Sequence, residues 1–431
     1  MNKVEVNQLF DRRNFIRTAG LGAGAIGMLG MHSCKSAKSV ATSSAVQDTV
    51  PVATSPAIQG FEDTGKEPVV AKIWTPVSDR KIRVGLVGYG VCQFAAQFGF
   101  QYHPNVEVVA VSDLIPERCA QLARVTKCDK TYPSLEELVK DRNIEAVFVA
   151  TDAPSHGRHT LTVLNHGKHV ACAVPAVWGD FEEAEKVFET VKRTGLTYMM
   201  FETSAYHDAV YGSRQIYNVG GFGKMIYSEG EYYHYFPTAL DSFNGWRVGL
   251  PPQYYPTHSN AYYNCVTGGS FTEVSCMGHR SSLQHFQPEN NTYNNPFGSE
   301  IALFRTSEGG MARMAVCWDN PGISGEVGRN SGQLGAWWGN AFRSNYYAHA
   351  NQLVSTLDLT KPALPPSVPA GGHGGSHGHL CHEFITSLLE NRKPYCDIAM
   401  SLNMTVAGIV AHQSALKDGE LLKIPQYKMW T

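Results

Sequence analysis

At 431 residues the chain is too long for one small domain, so two folded domains and a tail are expected. A hydrophobic share of 43% with 17% charged residues describes a soluble globular enzyme rather than a disordered chain. The formal net charge of -2, with no basic block beyond the N-terminus, excludes nucleic acid as a partner, because neutralising phosphates needs clustered Lys and Arg.

In chain order, the first signal is Arg12-Arg13 followed by Phe15-Ile16 and a Gly- and Ala-rich apolar run. The run is too short and too glycine-rich for a membrane span, and the pattern resembles a twin-arginine export signal. Cys34 closes it after small residues, as at a lipoprotein cleavage site, so Cys34 is the expected lipidation site. The expected location is periplasmic or membrane-anchored, with the membrane touched only through that lipid. Residues 35–72, rich in Ser, Ala, Thr, Val and Pro, read as a flexible tether after the signal at 1–34.

The folded part is expected from residue 73. "RVGLVGYGVCQF" (83–94) is a short apolar strand, a Gly88-Tyr89-Gly90 turn, and a helix predicted from Val91. Gly88 permits the tight turn, and Gly90 lets backbone approach a pyrophosphate. The third glycine of the usual fingerprint is replaced by Gln93. A second apolar run, 106–111, ends at Asp113, whose carboxylate suits ribose hydroxyls and repels a 2′-phosphate, favouring NAD over NADP. Further strands are predicted at 145–151, 168–174 and 197–202, alternating with helices at 155–167 and 180–195. That alternation means an α/β fold with a doubly wound parallel sheet over 73–203. Gly88, Tyr89, Gly90, Val91, Asp113 and the loop residues Thr151, Pro154 and His156 are the predicted cofactor contacts, since ligands bind at strand carboxyl ends.

The remainder, 204–431, reads as a substrate domain. Strands are predicted within 225–320, with Glu229, Glu231, Tyr233 and Tyr235 on one face, either a sugar-binding stripe or a solvated one. Trp246, Arg247 and Trp318 lie in loops suited to stacking on or clamping a sugar. His258 sits in a polar Pro-Thr-His-Ser loop, where a group titrating near neutrality can do acid–base work. "GGHGGSHGHLCHEF" (371–384) opens a helix predicted over 378–391. Its histidines lack metal-site spacing, so no metal is expected, and His373 and His377 are predicted to touch sugar hydroxyls. Ten cysteines without a CxxC pair read as buried thiols. The 20 tyrosines fit either sugar stacking or a tyrosine-rich sheet core.

Together "VGLVGYG", "VSD" and "VFVATDAPSHGRHTLTVLNHGKHV" resemble the Gfo/Idh/MocA oxidoreductases over about residues 80–430. The resemblance implies an NAD-binding Rossmann domain followed by an α+β domain with an open, mostly antiparallel sheet, and a homo-oligomer. The family's usual Glu-Lys-Pro is here Ala173-Val174-Pro175, which removes the substrate-contacting lysine. "AVPA", "FETSAYHDAVYGSRQIYNVGGFGKM" and "YYPTHSNAYY" are similar to the NAD-dependent α-N-acetylgalactosaminidase subgroup. That match implies Pro175 and Glu202 at the cofactor, Glu202 and Tyr255 at the sugar, and Tyr206 and His258 as acid–base residues. It implies redox-neutral glycoside cleavage: transient oxidation at a sugar carbon, elimination, water addition and re-reduction. Export favours such chemistry, because no soluble NAD pool recycles a reduced cofactor outside the cytoplasm. The alternatives are a sugar oxidoreductase with bound NAD(P), or a carbohydrate-binding lipoprotein without catalysis.

Overall fold

The computed structural model describes residues 73–339, 341–344, 352–353 and 360–429. The twin-arginine pair, Cys34 and the whole tether at 35–72 lie outside the described residues.

The first sheet has six parallel strands: β1 Ile82–Val87, β2 Val106–Ser112, β3 Thr131–Tyr132, β4 Ala146–Val149, β5 His169–Cys172 and β6 Tyr198–Met200. Their order, β3-β2-β1-β4-β5-β6, is that of a dinucleotide-binding fold, with the switch point between β1 and β4. The strands are near-continuous apolar runs because helices cover both faces. Phe181–Thr194 shows why such helices form. Asp180 accepts from the Glu182 amide at its start, and Gly195 takes φ 66° at its end. Ala184, Val187, Phe188 and Val191 fall on one buried face. The two-residue β3 was not expected, since a strand that short leaves no periodic pattern.

Two predicted elements differ. The helix expected from Val91 is only Phe94–Gln97, because Val91 and Cys92 stay in the turn and Gln93 takes φ 51°. Where the third glycine would stand, Gln93 is thus a left-handed turn residue. The helix expected over 378–391 spans Gly372–Leu389, with positive φ at His373, Gly374 and Gly375 in its first turn.

The second sheet has nine strands. Its central strands are β7 Met225–Tyr233, β8 Phe271–Arg280, β9 Phe297–Thr306, β10 Met311–Cys317 and β11 Gly325–Gly332, in order β11-β7-β10-β9-β8. Among the described strands only β7 and β10 run parallel. One face carries the helix Thr257–Thr267. It rests on paired glycines: a Cβ on Gly230 would lie 2.0 Å from the Ser259 carbonyl oxygen, and one on Gly328 2.2 Å from the Tyr262 ring. The other face is open, and Met277, Ile301, Leu303, Met311 and Val327 are exposed there.

Helix Ile398–Ala415 is buried almost all round and contacts both β6 and β8, so one continuous core joins the two sheets. Each fully buried Val, Leu or Phe in that core contributes about 1.5–3 kcal/mol. Of the nine described cysteines, eight are buried, as expected of packing thiols, and Cys92 is half-buried. Among the described residues no helix is long and apolar enough to cross a membrane.

Candidate active site

Two adjoining cavities, of about 280 and 290 Å³, open where the sheets meet. The first lies over the carboxyl ends of β1 and β4. Gly88 (φ 97°) is held there because a Cβ would meet the Ala150 carbonyl oxygen at 2.3 Å. A Cβ on Gly90 would meet nothing within 4 Å, so that backbone faces open cavity. Asp113 lines the cavity, with Oδ2 accepting from the Tyr89 amide at 2.6 Å and Oδ1 from Ile115 at 2.8 Å. Each oxygen keeps a lone pair for a ribose hydroxyl.

These features fit a dinucleotide: a glycine cradle only backbone can line, an open approach at Gly90, and a fixed carboxylate beyond β2. Val91, Thr151 and His156 also line this cavity. His156 sits between two carbonyl oxygens, Pro175 at 2.7 Å and Thr151 at 3.2 Å. A neutral imidazole can donate to only one of them. Burial opposes its charge, but the Cys172 sulfur and the two carbonyls raise its pKa to about 9. Tyr89, Pro154 and Pro175 do not line the cavity. The Tyr89 side chain is buried in the core, Pro154 forms a short turn beside Ala153, and Pro175 acts through its carbonyl on His156.

Val91, Cys92, Ala173, Val174, Arg247 and Tyr255 line both cavities and form the junction. The Arg247 guanidinium lies 4.4 Å over the Trp246 ring, and Trp246 lines the nucleotide side.

The second cavity is walled by aromatic rings, among them Phe94, Phe98, Tyr232, Phe236 and Trp318. Its polar groups include Thr203, His234, His258 and His373. His258 lies in the first turn of helix Thr257–Thr267, not in a loop as its sequence suggested, because the helix begins directly after Pro256. Its Nδ1 donates to Glu202 Oε1 at 2.7 Å, and the Ser204 amide donates to the same oxygen at 2.8 Å. Burial opposes the His258 charge, but Glu202 and Glu326 outweigh it and raise the pKa to about 9. Burial likewise opposes the Glu202 charge, and His258 more than offsets it, holding the carboxyl below its usual range. Glu202 Oε2 is buried without a partner. Glu202 lines neither cavity. Its link to the second cavity is the hydrogen bond with His258.

Tyr206 lines neither cavity. Its ring is buried, stacked at 5.3 Å on His379, with Arg214 5.4 Å over it, and burial drives its hydroxyl pKa far up. Tyr255, also expected at the site, lines both cavities with its ring 5.6 Å from His258. His373 lines the second cavity, whereas His377 is buried behind it, 2.8 Å away and 4.3 Å from the Phe98 ring centroid. His382 pairs with His103 at 3.0 Å. Among the described residues no group of three or more His, Cys, Asp or Glu side chains could hold a metal.

The predicted acidic stripe does not face the cavity. Gly230 packs on the helix layer, so alternation turns Glu229 and Glu231 to the open face, where Arg313 binds both and Arg329 binds Glu229. The same alternation, read at the other parity, carries Tyr232, His234 and Phe236 into the cavity. Those three were missed although the pattern was present. Cys92, Phe94 and Thr203 carried no sequence signal beyond position.

Residues 82–202 match the pattern of the oxidoreductase family with NAD-binding Rossmann fold. The chain is similar to a glycosyl hydrolase family 109 protein of Bacteroides fragilis, 29% identical over 234 residues, 51% of this chain and 47% of that protein. The matched stretch thus spans about half the length of that relative. A family 109 protein of Solibacter usitatus is 23% identical over 389 residues, 80% of this chain and 88% of the relative. Among solved structures, levoglucosan dehydrogenase in complex with NADH and levoglucosan superposes with TM-score 0.66 at 17% identity, over 80% of this chain and all of that one. An oxidoreductase domain protein from Kribbella flavida gives TM-score 0.67 at 17% identity, with 80% and 100% covered. These structures establish the shared fold. Residues 82–202 thus combine the sheet order of a dinucleotide-binding fold with a match to the NAD-binding Rossmann domain of the Gfo/Idh/MocA oxidoreductases.

Proposed function

We propose that the chain is an NAD-dependent sugar-active enzyme whose reaction is redox-neutral glycoside hydrolysis. The observation that carries this reading is the His258–Glu202 pair, set in an aromatic cavity that adjoins the nucleotide cradle. When bound, NAD supplies a reversible two-electron oxidation of a sugar carbon. Glu202 engages His258 Nδ1–H, which leaves Nε2 as the ring atom that exchanges a proton with the sugar. Tyr232, Phe236 and Trp318 exclude water and offer ring faces to a pyranose. His234, His373 and Thr203 supply hydrogen bonds to hydroxyls. Val174 puts no amine at the junction, so proton transfer there falls to His258 and Tyr255.

The described lining of the second cavity contains no Asp or Glu. A two-carboxylate glycosidase needs an acid and a nucleophile or base on either side of the scissile bond. The cavity lacks both, which favours the redox route. A second reading, a sugar oxidoreductase with retained cofactor, is supported by the likeness to levoglucosan dehydrogenase. The exposed apolar face of the second sheet supports a homo-oligomer. The arginine pair and Cys34 support twin-arginine export and lipid anchoring.

The test is NAD released from denatured, purified protein, followed by near-ultraviolet absorbance during turnover of glycosides. Transient cofactor reduction with leaving-group release is the expected result. Persistent reduction with a keto-sugar product moves the assignment to the oxidoreductase. Sugar binding with neither signal leaves only a binding protein.

A further inference from the structure

A second carboxylate stands behind His258, outside the cavity lining. Glu326, at the start of β11, accepts from the Ser204 hydroxyl, and its Oε2 lies 3.3 Å from His207 Nδ1. The Ser204 oxygen is in turn 3.4 Å from His258 Nδ1. A continuous line of proton-carrying atoms therefore leads from the cavity to the His207 ring. His207 Nε2 is buried without a partner, directly beneath the glycine loop. A Cβ on Gly374 would sit 3.3 Å from His207 Cδ2, and Gly374 itself is exposed. Only a residue without a side chain leaves this thin a cover between the ring and solvent.

Resting on the reading of His258 as the group that exchanges a proton with the sugar, we propose that Ser204, Glu326 and His207 form a proton relay joining His258 to solvent under the glycine loop. The transfer balances without any further reactant. A proton gained at His258 Nε2 makes the ring an imidazolium. Its Nδ1 proton passes to the Ser204 oxygen as the Ser204 hydroxyl proton passes to Glu326 Oε2. The resulting carboxylic acid gives that proton to His207 Nδ1. Only N–H and O–H bonds form and break. His258 ends as the neutral tautomer with its proton on Nε2, Glu326 ends a carboxylate again and His207 an imidazolium, and the reverse transfer returns a proton to Nδ1 when Nε2 gives its own back to the sugar. Glu202, 2.7 Å from Nδ1, holds the ring in place and accepts the Nδ1–H at rest, so that proton turns from Glu202 Oε1 to the Ser204 oxygen, 3.4 Å away, for the transfer.

The relay gives the buried histidine a second exit for protons when the sugar fills the cavity. The other titratable groups near His258 are Glu202, Tyr232, Tyr255, His234 and His373, and none of them is altered in the test below.

The experiment uses full-length, 15N-histidine-labelled protein with NAD added, and measures by NMR the solvent exchange of the His258 ring N–H. Ser204→Ala, Glu326→Gln and His207→Gln should each slow exchange about tenfold. Ser204→Thr, which keeps a hydroxyl, should keep the wild-type rate and serves where Ser204→Ala does not fold. Added imidazole buffer should restore exchange in His207→Gln. Rates are compared at matched ring protonation, because Glu326 also raises the His258 pKa, and a merely structural role would then move chemical shifts and leave exchange alone. Exchange within about twofold of wild type in both Glu326→Gln and Ser204→Thr-controlled Ser204→Ala overturns the relay. The measurement needs no turnover, so a protein that holds no NAD and cleaves no glycoside would sink the functional reading and leave the exchange result standing on its own.

Discussion

Glu202→Gln is the sharpest probe of the His258 pair, because it removes one charge and keeps the shape. In the fold His258 rises from 6.5 to about 9, with burial working against the charge and Glu202 and Glu326 outweighing it. At about 1.4 kcal/mol per pH unit, that elevation is worth about 3 kcal/mol of pH-dependent stability. The sign follows from the raised value: the folded state binds the proton more tightly. The stabilisation is therefore fully present below pH 6.5 and is lost as pH rises through about 9. In Glu202→Gln the ring loses its nearest carboxylate while burial remains, so its pKa falls and the loss over that window shrinks. The assay is urea unfolding of wild type and variant across that range, read as the difference between the two curves. His156, also raised to about 9, contributes equally to both and cancels. If the variant lost stability between pH 6.5 and 9 as steeply as wild type, the pair would not be what charges His258.

Other expectations follow from single positions. Gly88→Ala forces a Cβ to 2.3 Å from a carbonyl oxygen at positive φ, so the variant should lose about 1–3 kcal/mol of stability and retain no NAD after purification. Tyr255→Phe should lower glycoside turnover at least about tenfold, whereas Tyr206→Phe, outside both cavities, should change it less than about twofold. Equal losses in the two variants would return Tyr206 to the site. Asp113→Asn removes the charge that repels a 2′-phosphate, and titration calorimetry should show the preference for NAD over NADP shrinking about tenfold or more. An intact preference would place the selectivity elsewhere.

The nucleotide half was legible because its physics is local. A buried strand, a glycine that only backbone can occupy and an acid at the next strand end are neighbours in sequence as well as in space. The sugar half was less so, because its site is assembled from distant segments. Glu202 and His258 are 56 positions apart yet share one hydrogen bond. Alternation along β7 was visible, but no sequence signal chose which parity faced the cavity, and of the two readings left open for the acidic parity the structure shows the solvated one. Arg313 and Arg329, on other strands, decide where those carboxylates belong. Gln93 shows the opposite limit: a departure from the fingerprint was seen, but its left-handed backbone was not.

The glycines at 230 and 328 lie beneath the helix that carries His258, on the same sheet face that turns Tyr232 into the cavity. Their bareness sets how deep that helix sinks, and hence how far the imidazole projects toward a bound ring. A methyl group at either would act as a shim, lifting the helix off its seat and withdrawing His258 from the cavity without replacing any residue that lines it.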